Sequence, residues 1–290
     1  MSDLRYEAPD SVEAAVGLLT SNDGAKVMAG GTDLLVQLRE EMVEPELIID
    51  IKRIAETRRI EIGADEVRIG AAMTGAELGE HEELVAMWPG VVEAVELIGS
   101  WQVQGRATIG GNLCNASPAA DSVPAIIASG AKVAIAGPNG AREIPAEEFP
   151  TAPGRTALES NEFVTSLILP VPPKRSGDAY LRFIPRTEMD IAVVGAGVSL
   201  SLADDGTCAS ARLSLGAVAP KALLVEPATE VLVGNKLDDD TLSKLDAVAR
   251  DACSPIDDKR GTIEYRTKVA GVLARRSAAI AWQRAEKNNG

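Results

Sequence analysis

Apolar residues in the first 55 positions follow the spacings of alternating helices and strands. Those at positions 12–19 recur at the interval of one helix face, and Asp10 is the predicted N-cap of that helix. The run Leu47–Ile51 contains three isoleucines and one leucine and is typical of a buried strand. A second helix is predicted over 34–41 and a short strand over 26–29. The opening segment therefore alternates between strands and helices.

Residues 56–175 contain more strand-like alternation, interrupted by short helical stretches. Turn residues between alternating segments predict two hairpins. The predicted elements are hairpins over 59–71 and 132–144, helices over 74–83, 90–99 and 121–128, and a strand over 163–169. Glycine and proline residues between Trp101 and Pro118 predict a loop-rich stretch there.

A segment rich in proline, residues 170–177, separates this part from the rest of the chain. Its three prolines and one glycine interrupt both helix and sheet. Three strands are predicted after it, over 179–183, 191–202 and 209–218, followed by helices over 240–253 and 262–286. A length of 290 residues is typical of about two domains. The predicted domains are 1–175, with subdomains of about 1–55 and 56–175, and 176–290.

Charge narrows the possible partners. The chain has 29 Lys and Arg against 43 Asp and Glu, a formal net charge of −14. This balance opposes binding to nucleic-acid phosphates and attraction to anionic membranes. Aromatic residues make up only 3% of the chain, too few for extensive base stacking. Any anionic ligand must then be held locally, by backbone N–H groups or a few side chains.

Candidate metal ligands are few and scattered. Cys114, Cys208 and Cys253 match no zinc or iron–sulfur spacing, and the single histidine, His81, lies in the acidic run 80–83. The sequence therefore predicts no metal site and no catalytic acid or base on this chain. The polar N-terminus lacks a signal-peptide pattern and no long apolar run occurs, so the expected location is the cytoplasm.

A glycine-rich loop between the predicted strand 26–29 and helix 34–41 is the first candidate binding site. Two adjacent glycines allow close backbone approach, and the start of the following helix offers free N–H groups for a phosphate. The alternative is an ordinary turn with Asp33 as the helix N-cap. The candidate residues are Val27, Met28, Ala29, Gly30, Gly31, Thr32, Asp33 and Leu34.

A second Gly-Gly pair, Gly110-Gly111, is flanked by Thr108 and Asn112. Taken alone it also fits a turn, but two such loops match the two phosphates of a dinucleotide. Neither is the G-x-G-x-x-G fingerprint of a Rossmann fold, and no P-loop motif occurs.

These two loops, in this order, resemble the FAD-binding subunits of the molybdenum hydroxylases. The resemblance rests on AGGTDLL at 29–35 and TIGGNLCNASPAAD at 108–121. It extends to the C-terminal part through YLRF at 180–183 with Arg186 and Asp190-Ile-Ala, and through EYR at 264–266. The resemblance implies an α+β fold. A two-part FAD-binding region of the vanillyl-alcohol oxidase type precedes a C-terminal antiparallel three-stranded sheet with a helical bundle.

The same resemblance assigns expected roles to individual residues. It implies that Val27–Leu34 and the loop of Thr108, Ile109, Gly110, Gly111 and Asn112 surround the pyrophosphate and ribityl chain of FAD. Further expected FAD contacts are Ile98, Asp121, Val164 and Arg182, with Arg182 near the flavin. Carbon monoxide dehydrogenases tend to have His-Ser at the positions of Thr32-Asp33. The resemblance therefore argues against carbon monoxide as the substrate of this complex.

The implied function is electron transfer. In such enzymes a large subunit holds the molybdenum cofactor and a small subunit holds [2Fe-2S] clusters. This chain would carry FAD, take electrons from the clusters and pass them to NAD, a quinone or another acceptor. The expected assembly is a dimer of heterotrimers. Two alternatives stay open: an independent flavin oxidase, and a scaffold subunit without FAD. The sequence names neither the substrate nor the final acceptor.

Overall fold

The computed structural model describes residues 4–288 of the chain. Its N-terminal part is a three-stranded parallel sheet with strand order β1-β3-β2. The elements are β1 (Arg5–Glu7), α1 (Val12–Ser21), β2 (Lys26–Met28), α2 (Leu34–Arg39) and β3 (Leu47–Asp50). All four residues of the central strand β3 are buried, as its apolar run predicts. The helices provide the crossovers that parallel strands require.

The next part is a five-stranded antiparallel sheet with strand order β4-β5-β10-β6-β7. Its hairpins lie where the sequence predicts them, and an additional two-stranded ribbon pairs β8 with β9. The strands are β4 (Ile60–Ile62), β5 (Glu66–Gly70), β6 (Lys132–Gly137), β7 (Gly140–Pro145), β8 (Pro150–Ala152), β9 (Arg155–Thr156) and β10 (Phe163–Pro170).

Six short helices accompany this sheet. They are α3 (Gly75–Gly79), α4 (Glu82–Met87), α5 (Pro89–Glu96), α6 (Trp101–Gln104), α7 (Ile109–Cys114) and α8 (Ser122–Ala128). The stretch predicted as a loop, 101–118, thus contains two helices. The single helix predicted over 74–83 is two, because His81 starts a new one: its Nδ1 accepts from the Leu84 N–H at 3.2 Å.

The C-terminal part is an antiparallel sheet with strand order β11-β12-β13-β14. Three long strands match the three predicted ones, and a fourth strand of two residues extends the edge. The elements are β11 (Ser176–Phe183), β12 (Val194–Leu202), β13 (Cys208–Gly216), β14 (Leu223–Leu224), α9 (Pro227–Leu232), α10 (Asp239–Asp251) and α11 (Ile263–Lys287). The fold is therefore α+β, with the antiparallel sheet and helices that the resemblance implies.

Buried apolar residues form three clusters. One lies between α1 and β3, one fills the space between the five-stranded sheet and its helices, and one lies between the C-terminal sheet and α9–α11. Tyr180 of β11 belongs to the middle cluster, so β11 contributes to two cores. The domain division near residue 175 stays a prediction.

The C-terminal sheet is packed between helices of both parts. Helices α5 and α8 contact its strands, and α11 lies along β11 and β12. The contacts are close because they involve small residues. A Cβ on Gly197 would lie 2.7 Å from the Pro124 carbonyl oxygen, and one on Gly177 would lie 2.3 Å from that of Ala281. The buried face of α11 consists largely of such residues: Ala270, Gly271, Ala274, Ser277, Ala278, Ala281 and Ala285.

Candidate functional site

The two glycine loops meet at one cleft. Its volume is about 310 Å³, within the size range of small-molecule sites. All eight predicted residues of the first loop line it, together with Ile98, Thr108, Gly111 and Asn112. The structure thus brings twelve of the predicted site residues to a single cavity wall. Ile109, Gly110, Asp121, Val164 and Arg182 are not among the lining residues.

The first loop offers a row of unpaired backbone donors. The N–H groups of Gly30, Gly31, Thr32 and Asp33 donate to no acceptor among residues 4–288. Gly31 has a φ of 77°, which favours glycine and lets the chain turn from β2 into α2. Successive N–H groups of this kind can bind an anion without a basic side chain.

Asp33 stands at the N-cap position of α2 but does not cap it. Its side chain accepts no hydrogen bond from the helix. Instead, Oδ1 accepts from Asn115 Nδ2 at 3.3 Å, which connects the first loop to the end of α7. Burial raises the pKa of the Asp33 carboxyl. The alternative of an ordinary turn capped by Asp33 is therefore not the arrangement found. A carboxylate here suits a hydroxyl group rather than a phosphate.

The N–H groups of the second loop are already bonded within the protein. Thr108 caps α7 by accepting from the Gly111 N–H at 3.0 Å, and the Asn112 N–H donates to the Thr108 carbonyl at 3.0 Å. The N–H groups of Ile109 and Gly110 donate to the carbonyls of Met73 and Ala71. This loop therefore offers the cleft a hydroxyl, an amide and open space, rather than a second row of free N–H groups.

Lys52, which the sequence did not predict as a site residue, holds the first loop through a backbone carbonyl. Lys52 donates from Nζ to the Ala29 carbonyl at 2.7 Å and to Asp50 Oδ2 at 2.7 Å. Burial alone would raise the pKa of Asp50, but hydrogen bonds from Lys52 and Tyr6 hold it below its usual range. The only sequence signal was the position of Asp50 and Lys52 at the end of the buried strand. Lys26, Gln37, Ala107, Cys114, Asn115 and Gly154 also line the cleft without having been predicted.

Asp121 and Arg182 form a buried ion pair that joins α8 to β11. Arg182 Nη1 donates to Asp121 Oδ2 at 2.8 Å, and the Tyr180 hydroxyl approaches Oδ1 at 3.5 Å. Burial raises the pKa of Asp121 to about 6, although Arg182 opposes this shift. The pair is linked to the cleft through the next residue, since the Ser122 hydroxyl donates to Asn112 Oδ1 at 2.7 Å. Val164 is a core residue.

Cys114, possible metal ligands and possible membrane spans are the candidates that remain. Burial raises the pKa of the Cys114 thiol to about 12, so this cleft residue stays protonated. No group of three or more potential metal ligands occurs in the described range 4–288. No helix between residues 4 and 288 is long and apolar enough to cross a membrane.

Comparison with known proteins identifies both parts of the chain. The family model described as the FAD binding domain in molybdopterin dehydrogenase matches residues 2–172. The model described as the CO dehydrogenase flavoprotein C-terminal domain matches residues 179–281.

Relatives match along nearly the whole length. The carbon monoxide dehydrogenase medium chain of Afipia carboxidovorans is 36% identical over 282 residues, 97% of each chain. The xanthine dehydrogenase FAD-binding subunit of Escherichia coli O157:H7 is 31% identical, covering 95% of this chain and 96% of its own. A solved Cu,Mo-CO dehydrogenase superposes with a TM-score of 0.93 at 35% identity, over 97% of this chain and 98% of that one. The chain belongs to the family of FAD-binding medium subunits of the molybdenum hydroxylases.

Proposed function

We propose that this chain is the subunit through which electrons leave a molybdenum-containing dehydrogenase. It takes electrons from [2Fe-2S] clusters on a small partner subunit and passes them to NAD, a quinone or another acceptor. A large partner subunit carries the molybdenum cofactor and the substrate. The observation that carries the proposal is the row of unpaired N–H groups in the FAD-binding domain, at Gly30–Asp33.

The cleft residues fit FAD. Four free backbone donors suit a pyrophosphate in a chain whose net charge of −14 provides little long-range attraction for anions. At Gly111 a Cβ would meet only the Thr108 hydroxyl within 4 Å, so this glycine leaves the cleft open. Asp33 and Asn112 provide acceptors and donors for sugar hydroxyls. We therefore propose that Val27–Leu34, Ile98, Thr108, Gly111 and Asn112 contact FAD directly.

The other proposed residues do not line the cleft and instead support its wall. Ile109 and Gly110 pack the second loop against the core, and Val164 supports the same core. Asp121 and Arg182 connect the cleft wall to the C-terminal sheet. When bound, FAD supplies redox chemistry that links one-electron donors to two-electron acceptors. The chain itself binds, orients and shields that group.

The partners and the setting of the complex follow from the same proposal. The expected assembly is a dimer of heterotrimers, since twofold symmetry is the commonest arrangement. A cytoplasmic location agrees with the free thiols of all three cysteines. Because Thr32-Asp33 stands where carbon monoxide dehydrogenases tend to have His-Ser, we expect a substrate other than carbon monoxide.

Expressing the chain with and without its partner subunits tests this function. The isolated chain is expected to bind one FAD and to oxidise no substrate. In the complex, heteroaromatic, aldehyde or CoA-thioester candidates are added anaerobically while flavin bleaching is followed. Rapid substrate-dependent bleaching of the isolated chain would support an independent oxidase instead. A purified chain that takes up no FAD would support the scaffold alternative.

A further inference from the structure

Helix α2 is apolar in sequence, yet none of its residues is buried. Four of its six residues are Leu or Val. Within residues 4–288, neither these four nor Met42 belongs to any of the three buried clusters or to the partly buried side chains packed against them. An apolar helix that packs into no core of its own chain is typical of a surface that another molecule covers.

The two sides of α2 have different surroundings. Leu34 and Gln37 line the FAD cleft. Leu35 and Val36 do not line it, and they are 53% and 55% exposed. The helix therefore forms part of the cleft wall with one side and presents aliphatic side chains to water with another.

The turn that ends α2 holds a further apolar side chain in water. The Glu41 N–H donates to the Leu38 carbonyl at 3.2 Å, and the Met42 N–H donates to the Gln37 carbonyl at 2.8 Å. These are the two hydrogen bonds of a Schellman motif, and Glu41 has the positive φ of 55° that the motif requires. The residue at the position of Met42 commonly packs back onto the helix in this motif. Met42 is instead 70% exposed.

We call the exposed apolar residues of this segment the α2 surface: Leu35, Val36 and Met42. Carboxylates accompany it along the chain. Glu40, Glu41 and Glu44 are exposed, and none of them forms an ion pair with residues 4–288. Arg39 is the only basic residue between positions 35 and 46. A protein that covers the α2 surface therefore needs basic side chains around an apolar centre, because like charges across an interface repel.

We infer that the α2 surface is the docking site of the iron–sulfur subunit and that the docking face of that subunit is basic. The inference rests on the proposed function and deepens it by naming the surface on which the electron donor binds. It commits to the iron–sulfur subunit because of where α2 lies. An α-helix with its side chains is about 10 Å across, so a protein on the α2 surface lies about that far from the FAD cleft. Electron transfer to the flavin requires such proximity, whereas hydroxylation on the large subunit does not.

The residue types suit a protein interface. Methionine is unbranched and polarizable, so Met42 can adapt to an irregular partner surface. The α2 surface lies within a helix about 9 Å long and the turn after it, so one partner face can cover all of its side chains together. The unpaired carboxylates beside it then form ion pairs at the rim, which direct association and select the partner.

Photo-cross-linking in the assembled complex identifies the occupant. The photoreactive residue p-benzoylphenylalanine replaces Met42 in a chain that is co-expressed with its partner subunits, and mass spectrometry identifies the cross-linked product. We expect cross-links to the iron–sulfur subunit. Ile263 is the control position, because it is 48% exposed and lies at the start of α11 in the C-terminal part. The same probe at Ile263 should give no cross-link to that subunit.

Aspartate variants test whether the α2 surface stabilises the complex. The tagged chain is purified with its partners, and iron is measured per chain. Met42→Asp places a charge in the covered interface and should lower the co-purified iron at least ten-fold. Ile263→Asp should match the wild type, since an acidic residue is favourable at a helix N-terminus. Both isolated variants should unfold at the wild-type temperature because both positions are exposed.

Two charge reversals test the basic character of the partner face. Glu44→Lys should lower the co-purified iron, whereas Glu230→Lys, at an exposed position of α9, should not. Equal effects of these two reversals overturn the inference, and so does a wild-type iron content in Met42→Asp. Cross-linking from position 42 to the large subunit, to a second copy of this chain or to nothing also overturns it. A wild-type chain that co-purifies with no iron–sulfur subunit would instead refute the proposed function.

Discussion

At the scale of single residues, the two glycines of each Gly-Gly pair differ in their surroundings, and they differ in the same way in both pairs. The first glycine of each pair permits close backbone packing: a Cβ on Gly30 would lie 1.8 Å from the Arg106 carbonyl oxygen, and one on Gly110 would lie 2.6 Å from Ala71. The second glycines, Gly31 and Gly111, line the cleft. The first positions therefore allow close backbone packing, although Gly30 also lines the cleft, and the second positions face the ligand.

This division predicts different outcomes for the two positions. Gly111→Val, and likewise Gly31→Val, should weaken FAD binding at least ten-fold, because a branched side chain enters the cleft wall. Gly30→Ala should instead lower the free energy of unfolding by about 3 kcal/mol or more through overpacking against backbone. FAD titration and urea unfolding of each variant measure the two effects. His81→Ala serves as a control, since it removes only a helix cap and should leave FAD content unchanged. Full flavin occupancy in Gly111→Val would show that the second loop is an ordinary turn.

A buried carboxyl predicts a pH dependence of stability. Asp178 Oδ2 accepts from the Val91 N–H at 3.0 Å, while its Oδ1 has no partner among residues 4–288. Burial raises the pKa of Asp178 to about 7 and Glu93 adds to the shift, whereas the α5 N–H groups and Arg284 oppose it. The folded state therefore holds a proton that the unfolded chain releases. This contribution to stability is complete at low pH and is lost as the pH rises from about 4 to about 7.

Asp178→Asn should remove this dependence. The variant is expected to match the wild type near pH 4 and to exceed its free energy of unfolding by roughly 1–3 kcal/mol at pH 8. Urea unfolding curves at intervals of pH provide the measurement. Asp178→Ala is the comparison, because it leaves the Val91 N–H without its acceptor and should be destabilised at every pH. Parallel pH curves for wild type and Asp178→Asn would contradict the assignment.

At the scale of elements, the connection from β2 to α2 is held by Lys52, which lies two residues after the end of β3. Lys52→Met removes the hydrogen bond to the Ala29 carbonyl and leaves Asp50 without its cation. We expect FAD affinity to fall about ten-fold, which corresponds to about 1.4 kcal/mol, because the loop carrying the free N–H groups loses its support. Fluorescence titration with FAD measures the change. Lys132→Met is the matched control, since Lys132 has a single, more distant ion pair with Glu143; equal losses in both variants would exclude an anchoring role.

The elements also show what the sequence could predict. Buried strands such as β3 and the hairpin of β6 and β7 have strong local signals, and both are confirmed. Helix starts have weaker local signals: the N-cap of α1 is Ser11, not the predicted Asp10, because either side chain can accept from the first turn. Both glycine loops were identified, but their difference was not, because the partners of Ile109 and Gly110 lie more than 30 residues away. Lys52 was missed for the same reason, since only the fold brings it to Ala29.

At the scale of the whole molecule, the Asp121–Arg182 pair connects the FAD-binding part to the C-terminal sheet. Arg182→Met would leave a buried carboxylate without its cation, which typically costs about 3–5 kcal/mol. Without Arg182 the pKa of Asp121 should rise above its present value of about 6. We therefore expect the penalty to be large at pH 7.5 and smaller at pH 5, where Asp121 binds a proton in both proteins. Unfolding measured at the two pH values tests this; a penalty independent of pH would indicate that the pair contributes only packing.

The close packing of α11 against the C-terminal sheet limits how the sequence can vary there. Alanine and glycine have no side-chain rotamers to lose on folding, so this interface forms at little cost in side-chain entropy. The same residues allow no growth: Gly177 lies against the Ala281 carbonyl, and the hydroxyl of Ser277 already donates to the Ala196 carbonyl at 3.1 Å. Volume, rather than polarity, is therefore the property that natural drift or a mutant library must conserve along the buried face of α11.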